Sequence, residues 1–134
     1  MLQLKRAYDP PSRTDGKRIL VDRLWPRGLT RKKAAIDEWV KEVAPSATLR
    51  RWFGHDPSKW TEFRRRYRHE LRAHADIVGH LATLARRRRV TLIFGARDEA
   101  HNDAVVLAAV VRARMKRIAQ SPRRAAGSVR RKRG

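Results

Sequence analysis

Leu2, Leu4, Arg6 and Tyr8 alternate with Gln3, Lys5 and Ala7 in a two-residue period, which predicts a first strand. Asp9-Pro10-Pro11 ends it, because consecutive prolines cannot extend a hydrogen-bonded ladder. After the turn signal Asp15-Gly16, the run from Arg18 to Asp22 is short, β-branched and nearly continuous in apolar character, as expected of a strand buried on both faces. Ile36, Trp39, Val40 and Val43 have helical spacing but stop at Pro45, so the type of this segment, 36–43, stays open. Ser46 reads as the N-cap of a short helix that reaches Phe53 and closes at Gly54. Asp56-Pro57 opens a longer helix over 57–75, with Trp60, Phe63, Tyr67 and Leu71 on its buried face. Ile77, Leu81 and Leu84 carry a second helix into the cations Arg86 to Arg89, which complement a helix C-terminus. Val90 to Phe94 is another buried strand, and the Ala-rich stretch from about Asp98 to Ile118 is the last helix.

Helical segments between apolar strands predict an α/β fold: one small domain over residues 1–118, with a three- to four-stranded sheet that has at least some parallel pairing and is packed by helices. Composition changes this picture at one end only. The chain has 134 residues, 34 Lys plus Arg against 13 Asp plus Glu, and a formal charge of +21. Residues 119–134 contain little that could be buried and are expected to form a basic, disordered tail. The absence of Cys excludes a disulfide framework, a thiolate zinc site and a cysteine nucleophile. No apolar run approaches the roughly 20 residues of a membrane helix, so no membrane partner and a cytoplasmic location are expected.

The two central strands run directly into polar segments. The first passes into Asp22-Arg23-Leu24-Trp25-Pro26-Arg27-Gly28, the second into Gly95-Ala96-Arg97-Asp98-Glu99-Ala100-His101-Asn102. In open α/β sheets ligands bind beyond the carboxyl ends of parallel strands, so if these strands are parallel neighbours their exits converge on one site. Arg23, Arg27 and Arg97 offer planar forks for phosphate or carboxylate, and amides opening a helix after Gly95 could hold an anion. Asp98 and His101, on one face of a first helical turn, could divide acid and base duties, with Asp22 orienting a nucleophile or His101. Trp25, His55 and Asn102 complete the ligand-binding set. A plainer reading is equally open: Asp98 as a cap, Asp22 neutralised by Arg23 or Arg97, His101 on the surface, Trp25 in the core and His55 as a structural loop residue. No metal-ligand spacing, Walker loop, dinucleotide fingerprint or serine elbow is present, so neither a metal nor another cofactor is expected.

Tyr8-Asp-Pro-Pro-Ser12, Asp15-Gly16, Val21 to Gly28, Ala44-Pro-Ser46, Trp52 to Pro57, and Ala96-Arg-Asp98 with His101-Asn102 together resemble the YeaO-like family, small bacterial and archaeal proteins of domain of unknown function 488. The likeness spans about residues 2–115; the Arg-rich chain after Met115 departs from it. The resemblance implies a small α/β domain and names no reaction or substrate.

Two functions are expected from the residues, and they leave open whether the protein is an enzyme. One is an enzyme-like domain acting on a phosphorylated or nucleic-acid-related ligand, gripped by Arg23, Arg27 and Arg97, with Asp22, Asp98 and His101 nearest the chemistry. The other is a non-catalytic nucleic-acid-binding module that uses Arg64, Arg65 and Arg68 on the basic helix 57–75 and Arg130, Arg131, Lys132 and Arg133 in the tail. A scaffold whose polar groups only tie the strand ends together is the remaining alternative.

Overall fold

The structure is a computed structural model that describes residues 1–120. The basic run Arg130 to Arg133, and the disorder expected of the tail after Gln120, lie outside the described residues. Four parallel strands, β1 (Leu2–Arg6), β2 (Lys17–Leu20), β3 (Glu38–Trp39) and β4 (Val90–Phe94), form one sheet in the order β1-β4-β2-β3. The helices are α1 (Arg31–Ala34), α2 (Ala47–Phe53), α3 (Trp60–Leu71), α4 (Ala75–Arg87) and α5 (Asp103–Gln120). Among the described residues no helix is long and apolar enough to cross a membrane.

The alternation along the strands decides what each face meets. Ile19, Val21, Val90, Leu92 and Phe94 join the main core with Leu49, Phe53, Phe63, Tyr67, Leu81 and Leu107 from the helices. Leu20 and Ile93, one residue out of phase, join Ala7 in a smaller cluster covered by Trp25, Leu29, Ile36 and Trp39. Strands coated on both sides are why β2 and β4 read as unbroken apolar runs.

Local signals account for most element ends. The Ser46 hydroxyl accepts from the Leu49 amide, and Gly54 closes α2 in the left-handed region at φ 54°. The Asp56 side chain caps a 3-10 turn, Pro57–Lys59, that leads into α3. The open segment 36–43 resolves into the two residues of β3 and a 3-10 turn at Lys41–Val43. Its apolar spacing arises because Ile36 and Trp39 cover the smaller cluster while Val40 and Val43 enter the main core, not because one helical stripe is buried. The last helix starts at Asp103, five residues later than the expected Asp98, and continues to Gln120.

Gly16 marks where β2 begins. It has φ 63°, and a Cβ there would lie 2.2 Å from the Arg89 carbonyl oxygen, backbone that cannot swing aside. Gly16→Ala is therefore expected to cost about 1–3 kcal/mol in urea denaturation, from the left-handed backbone and the forced displacement of Arg89. An unchanged unfolding midpoint would refute this.

Candidate active site

Parallel pairing sets the strand exits level. The Ala7 amide donates to Phe94 O at 2.7 Å and the Val21 amide to Ile93 O at 3.1 Å, carrying both ladders one residue beyond the strands. Tyr8, Asp22 and Gly95 thus leave the sheet side by side, at the edge where the β1–β4–β2 order departs from chain order. The Gly95 amide donates to Asp22 Oδ2 at 2.8 Å. A hollow of about 460 Å³ opens over them, walled by the β2 exit loop, by Arg50 and Phe53 of α2, by His55, and by Asn102 and Asp103 at the start of α5.

The hollow carries both signs of charge. Arg23 Nη2 reaches the carbonyls of Ala44 and Pro45 only at 3.4 Å each, and its Nε finds no acceptor among the described residues. Arg50 Nε is buried without an acceptor in the same way. Guanidinium groups with unused donors in the wall of a hollow could take an anionic group. Facing them are two carboxyls. Burial pushes Asp22 above the usual carboxylate range, opposed by the Gly95 amide, Arg50 and His55. Asp103 is pushed up to about 7, first by burial and then by the charge of Asp22, against its own and the Ala104 amides and Arg50. Near neutrality Asp103 thus holds its proton about half the time, beside an Asp22 carboxyl that burial also raises.

The structure brings together Asp22, Arg23, Trp25, Arg27, His55 and Asn102, all of which line the hollow. Arg97, Asp98 and His101 are not among the lining residues. They stand in the loop before α5, not on a helical turn. Asp98 Oδ1 accepts from the Ala100 and His101 amides at 3.0 Å each, and its carboxylate holds His101 Nδ1 at 3.0 Å. His101 also packs edge-on against Trp60, with ring centroids 5.3 Å apart. Burial raises the Asp98 carboxyl, but the Ala100 amide, the His101 side chain and the His101 amide outweigh it and leave the group below its ordinary value, suited to holding the loop. The amides expected to open a helix after Gly95 instead open α5 at Asp103, where Asn102 Oδ1 accepts from Val105 at 3.1 Å.

Asp22 is paired with neither Arg23 nor Arg97: its contacts are the Gly95 amide and the charges of Arg50 and His55. Trp25 is largely committed to structure, donating Nε1 to Leu29 O at 2.7 Å and meeting Trp39 edge-on at 5.6 Å. His55 adopts φ 57° directly after the left-handed Gly54, a bend that turns the chain at the mouth of the hollow. On α3, Arg65 is bound to Glu62 at 2.6 Å and Arg64 lies over Trp60 at 5.9 Å, while Arg68 is exposed. Among the described residues no group of three or more His, Cys, Asp or Glu could hold a metal ion.

Sequence reasoning missed Arg50 and Asp103. Arg50 lay in a short helix with no local mark of a site. Asp103 was legible in principle, since Asn102-Asp103 before the Ala-rich run is itself a helix-start signal, but Asp98 offered a competing one.

Three relatives and a family match place the chain. It is 44% identical over 107 residues to the uncharacterized protein YeaO of Escherichia coli K12, covering 80% of this chain and 93% of that protein. It is 37% identical over 113 residues to the uncharacterized proteins Mb3100c of Mycobacterium bovis and Rv3073c of Mycobacterium tuberculosis, covering 84% of this chain and 95% of each. No solved structure matches. A family model described as "Inactive DUF488-N3 subclade" matches residues 1–129. With that match over nearly the whole chain and these identities, the chain belongs to the YeaO-like DUF488 family.

Proposed function

We propose that this protein binds a small phosphorylated ligand in the hollow at the strand exits, with Arg23 and Arg50 taking the anionic group. The observation that carries the reading is the pair of buried guanidinium nitrogens without acceptors in the wall of one concavity. A volume of about 460 Å³ is that of a small-molecule site. Binding without turnover is the favoured form, for two reasons. The matching subclade is described as inactive, and the Asp98 and His101 side chains that would have supplied acid and base are tied to each other outside the hollow.

Arg50→Ala is expected to weaken ribose 5-phosphate about ten- to a hundredfold in calorimetry, the value of about 1.5–3 kcal/mol for hydrogen bonds to a charged group. Equal binding by the variant and the parent protein would refute the assignment of Arg50.

One observation favours a catalytic second reading. Asp22 and Asp103, two carboxyls lining one hollow, both raised by burial and one of them to about 7, form the kind of pair that general acid–base hydrolysis of a glycosidic or phosphate bond uses. Turnover of a phosphorylated glycoside that disappears in both Asp22→Asn and Asp103→Asn, with folding intact, would establish it. Ligand binding without turnover in the parent protein would leave the binding reading.

A further inference from the structure

We infer that the ligand is a nucleotide, its base laid on a lip formed by Tyr8 and Leu24 while its phosphate meets Arg23 and Arg50. The inference rests on the anionic-ligand reading above and adds the class of molecule. Tyr8 is 44% exposed and Leu24 67%; apart from Met1 they are the exposed large apolar side chains among the described residues. Single exposed apolar residues are ordinary, but these two come from different strand exits and line the same hollow as the unsatisfied guanidiniums. A phosphate or a sugar phosphate would satisfy the charges and leave this lip bare. A base would cover it.

The Tyr8 ring is held for such a role. Its hydroxyl donates to Arg27 O at 2.8 Å, and the Arg6 guanidinium lies 5.3 Å from the ring centroid. A ring positioned in advance loses little freedom when a flat partner stacks on it. Trp25, the aromatic that the sequence first suggests for stacking, has its edge and indole N–H engaged by Trp39 and Leu29. Between Tyr8 and Asp22 the floor is Gly95. A Cβ there would come within 3.3 Å of Asp22 Oδ2 and 4.0 Å of Tyr8 Cε2, so the glycine keeps the passage from lip to carboxylates open. Asp22 spends Oδ2 on the Gly95 amide, leaving Oδ1 to accept a sugar hydroxyl, the group that links base to phosphate in a nucleotide.

Calorimetry of the full chain with inorganic phosphate, ribose 5-phosphate, AMP and UMP tests this. Stacking one base on an aromatic side chain is worth about tenfold or more in affinity, so both nucleotides are expected to bind about tenfold tighter than ribose 5-phosphate. Tyr8→Ala and Leu24→Ser are expected to remove that advantage and leave ribose 5-phosphate binding unchanged. Tyr8→Phe, which loses the hydroxyl and keeps the ring, is expected to retain it. Equal affinity for ribose 5-phosphate and the nucleotides, both dependent on Arg50, would overturn the inference and spare the anion site. A nucleotide preference indifferent to Tyr8→Ala and Leu24→Ser would also overturn it. Failure of every phosphate ligand to bind would overturn the reading beneath it.

Discussion

Asp103→Asn is expected to stabilise the protein by about 2–4 kcal/mol at pH 8 and to leave it unchanged near pH 4, measured as the difference in urea-unfolding free energy at the two pH values. The folded state holds the Asp103 proton up to about pH 7, because burial and then the negative Asp22 oppose its loss, whereas an unfolded aspartate releases it near 3.8. Between those values the folded chain binds more protons than the unfolded chain, so the contribution of this group to stability falls as pH rises through the window. Asparagine resembles the protonated acid and has no proton to release. The lower end of the expected range allows for the partial exposure of the side chain. Asp22→Asn gives an independent check, since removing the neighbouring charge should bring the Asp103 titration down, as read by carbon-detected carboxyl NMR. A stability difference that is the same at both pH values would refute the account of Asp103 as a retained acid.

The second large effect lies on the opposite edge of the sheet. Asp15→Ala is expected to cost about 3–5 kcal/mol, because it leaves the Arg18 guanidinium buried without its counter-charge. Asp15 and Arg18 are 3% and 4% exposed, with Nη1 to Oδ2 at 2.6 Å. Lys5 Nζ adds a contact at 3.1 Å, and the Ser12 amide donates to Oδ2 at 2.9 Å. Arg18 is held in place by the carbonyls of Ala34 and Ala35 and cannot leave for solvent without opening the connection to β3. Burial alone would raise the Asp15 carboxyl, but the Ser12 amide, Lys5 and Arg18 outweigh it and the net shift is downward. Its stabilising contribution is therefore complete above about pH 4 and is lost as pH falls through the lowered folded value, a loss that Asp15→Ala should no longer show. The double variant Asp15→Ala with Arg18→Met should recover most of the stability, since an apolar pair can replace a buried ion pair. A double variant no better than Asp15→Ala would mean that the cost comes from the lost Ser12 cap and not from the stranded charge.

Asp15 and Asp103 also show where reading along the chain succeeds and where it stops. Asp15 could be recognised only as half of a turn signal with Gly16, and the turn is where expected; that it neutralises a buried Arg18 depends on β2 being covered by the chain that leads to β3. Strand β4 was legible to the residue, because five consecutive apolar or β-branched positions bounded by Arg89 and Gly95 leave few alternatives. Helix α2 was legible for a similar reason, with Ser46 and Gly54 satisfying its ends through bonds only a few residues long. The start of α5 was not, because Asp98 and Asn102 both satisfy the local requirements of a cap. Only the loop's packing, with His101 held between Asp98 and Trp60, settles the choice.

The same distinction runs through the candidate site. Asp22, Arg23 and Arg27 could be named in advance because they follow a buried parallel strand, and chain connectivity guarantees that such residues emerge at the sheet edge. Capping, alternation and strand propensity act over a handful of residues, so local pattern sufficed for most of the longer elements, the α/β class and the edge at which to look, but not for the type of segment 36–43 or for the short α1. Which side chains share the hollow depends on contacts between segments tens of residues apart. The insertion of β4 between β1 and β2 brings Tyr8, Asp22 and Gly95 into line, and the packing of α2 and α5 over that edge delivers Arg50 and Asp103 while leaving Asp98 and His101 outside. Burial and the opposed charges that raise Asp103 exist only once those distant segments have met.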